Sequence, residues 1–167
     1  MKLNCQEFQE NYSSCTVCQQ GTEIPAFDKK NKKIKYILQN PSRRKVCKVQ
    51  IDDCVITSQT QRKCDYLMIV CESKLSNQPE SVDLYFIELK GRDLMSAVEQ
   101  LTETIKYFQS EKYKFTGKVF ARAVVTRVHI PTSSIDTDAR VLSLRKLLKK
   151  LGGDFAYGSV QFEKDRI

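Results

Sequence analysis

The chain has 167 residues, 41% of them hydrophobic and 29% charged, which fits one domain with a packed core and excludes a disordered chain. Lys and Arg outnumber Asp and Glu by 28 to 20, a net charge of +8, and so basic a balance favours a polyanionic partner such as nucleic acid. The single histidine, His129, argues against His-rich metal centres and most His-activated nucleophiles.

No apolar run approaches the roughly 20 residues that span a bilayer. The start, MKLNCQEFQENY, lacks the apolar stretch of a secretory signal. The seven cysteines, at 5, 15, 18, 47, 54, 64 and 71, are odd in number. With no export signal they are expected to be reduced thiols of a cytoplasmic protein, not a disulfide framework. Cys15 and Cys18 form a CxxC with Cys5 nearby, and a zinc site there would need partners from Cys47, Cys54 or Cys64. Ordinary thiols without a metal are the simpler alternative.

In chain order, residues 3–12 read as a short helix carrying Leu3, Phe8 and Tyr12. Residues 19–33, with Pro25 and the run DKKNKKIK, read as a polar loop whose lysines are either solvated or touch phosphate. Strands follow. Residues 44–56 alternate in part, Val46, Lys48 and Gln50 against Cys47, Val49 and Ile51. Residues 64–71 and 83–90 are apolar runs of the kind covered on both faces, with a turn composition, ESKLSNQPES, between them. A helix over 93–109 places Leu94, Ala97, Val98, Leu101, Ile105 and Phe108 on one stripe. Residues 118–130 read as a strand ended by Pro131. Residues 137–151 read as a helix with Val141, Leu144, Leu148 and Leu151 inward, stopped by Gly152-Gly153. Residues 154–162 form a closing strand. The order predicts an α/β protein with a mixed sheet flanked by helices, one domain over 1–167.

Chemistry gathers at Asp65 and at Glu88-Leu89-Lys90. An antiparallel hairpin that sets Asp65 opposite Glu88 turns between Ser76 and Asn77, inside the turn composition. Glu88 and Lys90 are two apart and share a face. Two carboxylates and an ammonium therefore converge at one end of an apolar hairpin. Burying them costs several kcal/mol per ion unless they are paired or bind metal. Two carboxylates with a backbone carbonyl suit Mg²⁺. A charged strand end held by an ordinary ion pair is the commoner meaning of E-x-K taken alone.

The segments CDYLMIV, YFIELKG and the helix containing AVEQL resemble the PD-(D/E)xK nuclease superfamily, over residues ~44–130. The resemblance implies an αβββαβ restriction-endonuclease-like core, here with an extra C-terminal helix and strand. It implies that Asp65, Glu88 and the Leu89 carbonyl hold Mg²⁺ (or Mn²⁺), that Lys90 serves the attacking water, and that Gln100 is the helix glutamine some members use. The alternative for Gln100 is a solvent-facing helical residue. The Pro of the motif is absent, since Lys63-Cys64 precede Asp65, and Thr104 stands where some members have tyrosine. Glu7 and Glu10 are both candidates for a carboxylate from the first helix. Arg62, Lys63 and Arg92 flank the acidic centre and would line a phosphate-binding mouth.

The implied function is Mg²⁺-dependent hydrolysis of nucleic-acid phosphodiester bonds, with DNA as partner, in repair, recombination or phage defence. A homodimer would serve for cutting two strands. The alternative is a non-catalytic nucleic-acid-binding or protein-interaction module on the same fold.

Overall fold

The computed structural model of the chain describes residues 1–73 and 81–167. Its elements are helix α1 (Cys5–Asn11), strands β1 (Thr16–Gln19), β2 (Glu23–Phe27), β3 (Lys35–Gln39), β4 (Val46–Gln50), β5 (Tyr66–Val70) and β6 (Asp83–Lys90), and helix α2 (Leu94–Ser110). Strand β7 (Val119–Val125), helices α3 (Thr132–Thr137) and α4 (Ala139–Lys150), and strands β8 (Phe155–Ser159) and β9 (Gln161–Phe162) complete it. The class is mixed α/β, and no described helix is long and apolar enough to cross a membrane.

Six strands form one sheet in the order β1-β4-β5-β6-β7-β8. The pairs β1/β4, β4/β5 and β5/β6 are antiparallel, whereas β6/β7 and β7/β8 are parallel. The parallel step follows from α2, which carries the chain back across the sheet. Asp93 caps α2 by accepting the Ser96 N–H at 3.0 Å. All six residues of its expected stripe are buried. They pack with Leu67, Ile69, Leu84 and Phe86 of the sheet and with Leu3 and Phe8 from the N-terminal segment. The other face of the sheet packs Met68, Val70, Tyr85 and Ile87 against Ile24, Tyr36 and Leu38 of a second sheet, β2-β3-β9.

That second sheet corrects the expected loop over 19–33, of which β2 occupies a part. Its burial alternates in the pattern of a half-buried strand, but Pro25 and the flanking polar residues disguise it. The lysines of the run, Lys29, Lys30, Lys32 and Lys33, lie exposed between β2 and β3. Three strand expectations overran. Residues 44–56 form a strand only to Gln50 and then turn, 118–130 ends at Val125, and 154–162 breaks at Val160. Val160 has φ +64°, a rare conformation for a β-branched residue. Its N–H bonds Val125 at 2.7 Å and its carbonyl accepts from Lys35 at 2.9 Å, so it joins the two sheets. Helix α4 ends as expected. Gly152 takes φ +81°, and a Cβ on Gly153 would meet the Val119 carbonyl at 1.9 Å.

The cysteines are the clearest correction. Cys5 is bonded to Cys71, Cys15 to Cys54, and Cys18 to Cys47, leaving Cys64 as the free thiol. An odd count excludes complete pairing only, and pairing is decided by proximity. The register sets Cys18 directly opposite Cys47, and α1 lays Cys5 beside the end of β5. Each bond ties one of the first 18 residues to β4, β5 or the turns around them.

Candidate metal centre

The register of β5 and β6 pairs Tyr66 with Ile87, so the next step sets Asp65 opposite Glu88, as the hairpin reasoning required. The turn centre at Ser76 and Asn77 lies outside the described residues. Side chains alternate across the sheet. Glu88 shares the α2-facing side with Leu84 and Phe86, and Asp65 shares it with Leu67 and Ile69. Lys90, two residues on, belongs to the same side.

The antiparallel ladder stops at Tyr66, and the Leu89 N–H instead donates to Asp65 Oδ2 at 2.8 Å. This bond fixes the Asp65 carboxylate at the strand end. Glu88 is only 3% exposed, and its Oε2 is buried without a hydrogen-bond partner among the described residues. Burial pushes the Glu88 carboxyl well above the usual range, and the adjacent Asp65 carboxylate adds to the shift. Burial raises Asp65 as well, against the opposing pull of Glu88 and the Leu89 N–H. Asp52, and for Asp65 also Asp28, add negative potential. An orphaned buried carboxylate oxygen beside a second carboxylate is a donor set for a hard cation, so Asp65 and Glu88 fit Mg²⁺ or Mn²⁺.

Lys90 Nζ donates to Gln100 Oε1 at 2.9 Å, and Gln100 Nε2 donates to the Lys63 carbonyl at 3.3 Å. Gln100 is therefore not a solvent-facing helical residue. It bridges the lysine of β6 and the backbone leading into Asp65. One turn along α2, Thr104 Oγ1 accepts the Cys64 N–H at 2.8 Å and donates to the Gln100 carbonyl at 2.6 Å. Helix α2 thus clamps residues 63 and 64 from both positions and sets the approach of Asp65.

No protein-family model, curated protein or solved structure matches the chain. Its chemistry rests on the residues themselves.

The remaining expected residues divide. On α1, Glu7 accepts from Asn11 at 2.8 Å and Glu10 from Gln6 at 2.9 Å. Arg62 is paired with Glu99. Lys63 lies 3.7 Å from Asp52. Arg92 is exposed just before α2. Cys64 is buried between the carboxylates and Thr104, and burial raises its thiol far above the reactive range. Asp28 and Asp52 were not foreseen. Asp52 follows β4, whose pairing with β5 carries it toward Asp65. Asp28 leads into the lysine run. It adds negative potential at both Asp65 and Tyr66, an influence for which the sequence offers no local signal.

Proposed function

We propose that the chain is a Mg²⁺- or Mn²⁺-dependent nuclease that hydrolyses phosphodiester bonds of nucleic acid, DNA first, on a restriction-endonuclease-like core. The observation that carries this is the unpartnered buried oxygen of Glu88 beside Asp65, with Lys90 on the same face. The succession α1, β4, β5, β6, α2, β7 follows the αβββαβ order of the superfamily that the motifs resemble, with β1–β3 inserted after α1. The exposed lysines between β2 and β3 offer phosphate contacts.

Asp65 and Glu88 would hold the cation, joined by the Leu89 carbonyl. A bound divalent ion supplies Lewis acidity at the scissile phosphate and makes a strong nucleophile of water at neutral pH. Lys90 donates a hydrogen bond to the attacking water and orients it for in-line displacement. Gln100 keeps the Lys90 ammonium aimed at that position, and Thr104 keeps Gln100 and the Asp65 approach in register. With one histidine and a deeply buried free thiol, the chain offers no ready Ser/His or Cys/His pair for a covalent route.

The test is a panel of linear duplex, single-stranded DNA, branched DNA and RNA with Mg²⁺ or Mn²⁺, run on the wild type and Lys90→Ala. Cleavage should fall ~10²–10⁴-fold in the variant, the usual worth of a positioned proton-handling group, while metal binding survives. Equal cleavage by both proteins refutes the role of Lys90. Binding without cleavage under any divalent metal replaces the enzyme with a binding module.

A further inference from the structure

Two of the three disulfides are neighbours. The Sγ atoms of Cys5, Cys47 and Cys71 lie within 4.8 Å of one another, and all three residues are buried. Cys47 and Cys71, which belong to different bonds, approach to 3.5 Å. Cys18 is bonded to Cys47, so its sulfur adjoins this group, although it lies outside the mutual 4.8 Å spacing of the other three. Three sulfurs, from α1, β4 and the end of β5, therefore fill one small volume, with a fourth, from β1, attached to it through Cys47. A tetrahedral zinc ion with Zn–S bonds near 2.3 Å sets its ligand sulfurs about 3.8 Å apart, close to the 3.5 Å between Cys47 and Cys71; once reduced, the Cys18 side chain has to turn toward the other three.

The surroundings favour thiolates. A groove beside the group is lined by Arg43, Arg44, Lys45, Cys71 and Glu72, and Arg44 Nη2 donates to the Cys71 carbonyl at 3.4 Å. Nearby cations lower thiol pKa values and offset the double negative charge of a zinc tetrathiolate. The groove also gives the ion a route to Cys71.

We propose that Cys5, Cys18, Cys47 and Cys71 form a zinc tetrathiolate whenever the two disulfides are reduced, so that the N-terminal segment is held by sulfur bonds in an oxidising compartment and by metal in a reducing one. Each disulfide takes two electrons and two protons from a dithiol, which leaves as its own disulfide. The four thiols then release four protons as Zn²⁺ binds. Cys15 and Cys54 form a separate pair and take no part, and neither does the centre at Asp65 and Glu88.

The experiment uses the full chain, reduced with a phosphine, loaded with Zn²⁺ and dialysed. Bound zinc is counted, and a parallel sample receives Co²⁺. The reduced wild type should retain one zinc per chain, the oxidised chain none, and the cobalt form should show the charge-transfer and tetrahedral bands of four thiolates. Cobalt reads the ligands without any mutation. Cys15→Ser with Cys54→Ser should bind as well as wild type, whereas Cys18→Ser should lose more than about 100-fold in affinity, beyond the usual cost of an outer-sphere change. The proposal is overturned if the reduced chain retains no zinc, if iron is held in preference, if cobalt shows fewer thiolates, or if the Cys15/Cys54 variant loses as much as Cys18→Ser.

Discussion

Replacing Glu88 by Gln tests the strain at the centre without needing a substrate. Glu88 is nearly fully buried, its Oε2 has no partner among the described residues, and its carboxyl is held well above the ordinary 4.5 by burial and by Asp65. The folded chain therefore binds this proton more tightly than the unfolded chain does. Between 4.5 and the raised value the folded state is protonated and the unfolded state is not, so stability falls as pH rises through that window. At pH 8 without metal, the folded chain carries an unpaired buried charge or pays to keep its proton. Relieving a buried unsatisfied group is worth about 1–3 kcal/mol, roughly 2–12 °C in Tm for a domain of this size. Glu88→Gln should melt higher than wild type by that amount at pH 8, and within about 2 °C of it at pH 5. Added Mg²⁺ should raise the wild-type Tm by mass action and leave the variant unmoved. Thermal unfolding at the two pH values, with Mg²⁺ or with chelator, checks each point. A variant less stable than wild type at pH 8 without metal, or one with the same pH slope, refutes the reasoning.

Gln100→Ala removes the bridge between Lys90 and the Lys63 carbonyl. It should lower cleavage by about 10-fold or more without lowering Tm by more than about 1 kcal/mol worth, since the bond is half-buried; rates and melting curves together check this. Asp165→Ala strips the Arg122 guanidinium, whose side chain is 5% exposed, of contacts at 2.7 and 3.0 Å. Because Asp154 still holds Arg122 Nη1 at 2.8 Å, the loss should sit near the low end for a broken buried pair, about 3 kcal/mol by denaturant titration. Duplex DNA binding by the Ca²⁺-loaded or metal-free chain should weaken with salt at a log–log slope of about −0.9 per phosphate neutralised. Replacing Lys29, Lys30, Lys32 and Lys33 by Gln should flatten that slope, and an unchanged slope would remove the lysine run from the interface.

The centre was legible because it depends on short-range rules. Two apolar runs around a turn composition fix a register, the register opposes Asp65 and Glu88, and period two puts Lys90 on the same face. Helix α2 was legible from its stripe and its Asp93 cap. Less visible was everything set by long-range proximity. Strand β2 buries one side only, Ile24 and Ala26, and β3 buries Tyr36, Ile37 and Leu38, while Pro25 with the lysines breaks the pattern between them. Disulfide pairing depends on α1 and β1 lying against β4 and β5, which no spacing of cysteines reveals. Strand ends were overrun where β-rich composition continues past the last partner, as after Gln50 and Val125.

The bond between Cys5 and Cys71 also governs how the chain answers to force. It spans 66 positions and closes a loop around β1 to β5, so tension applied to the two ends bypasses that loop and enters the sheet at the end of β5. Stretched in the oxidised state, the chain would come up short by about 220–240 Å of contour length, and because the other two disulfides are nested inside this loop, the full length returns only when all three bonds are reduced. While the bond is intact, residues 5–71 are shielded from pulling, and α2, β7 and the C-terminal elements carry the load.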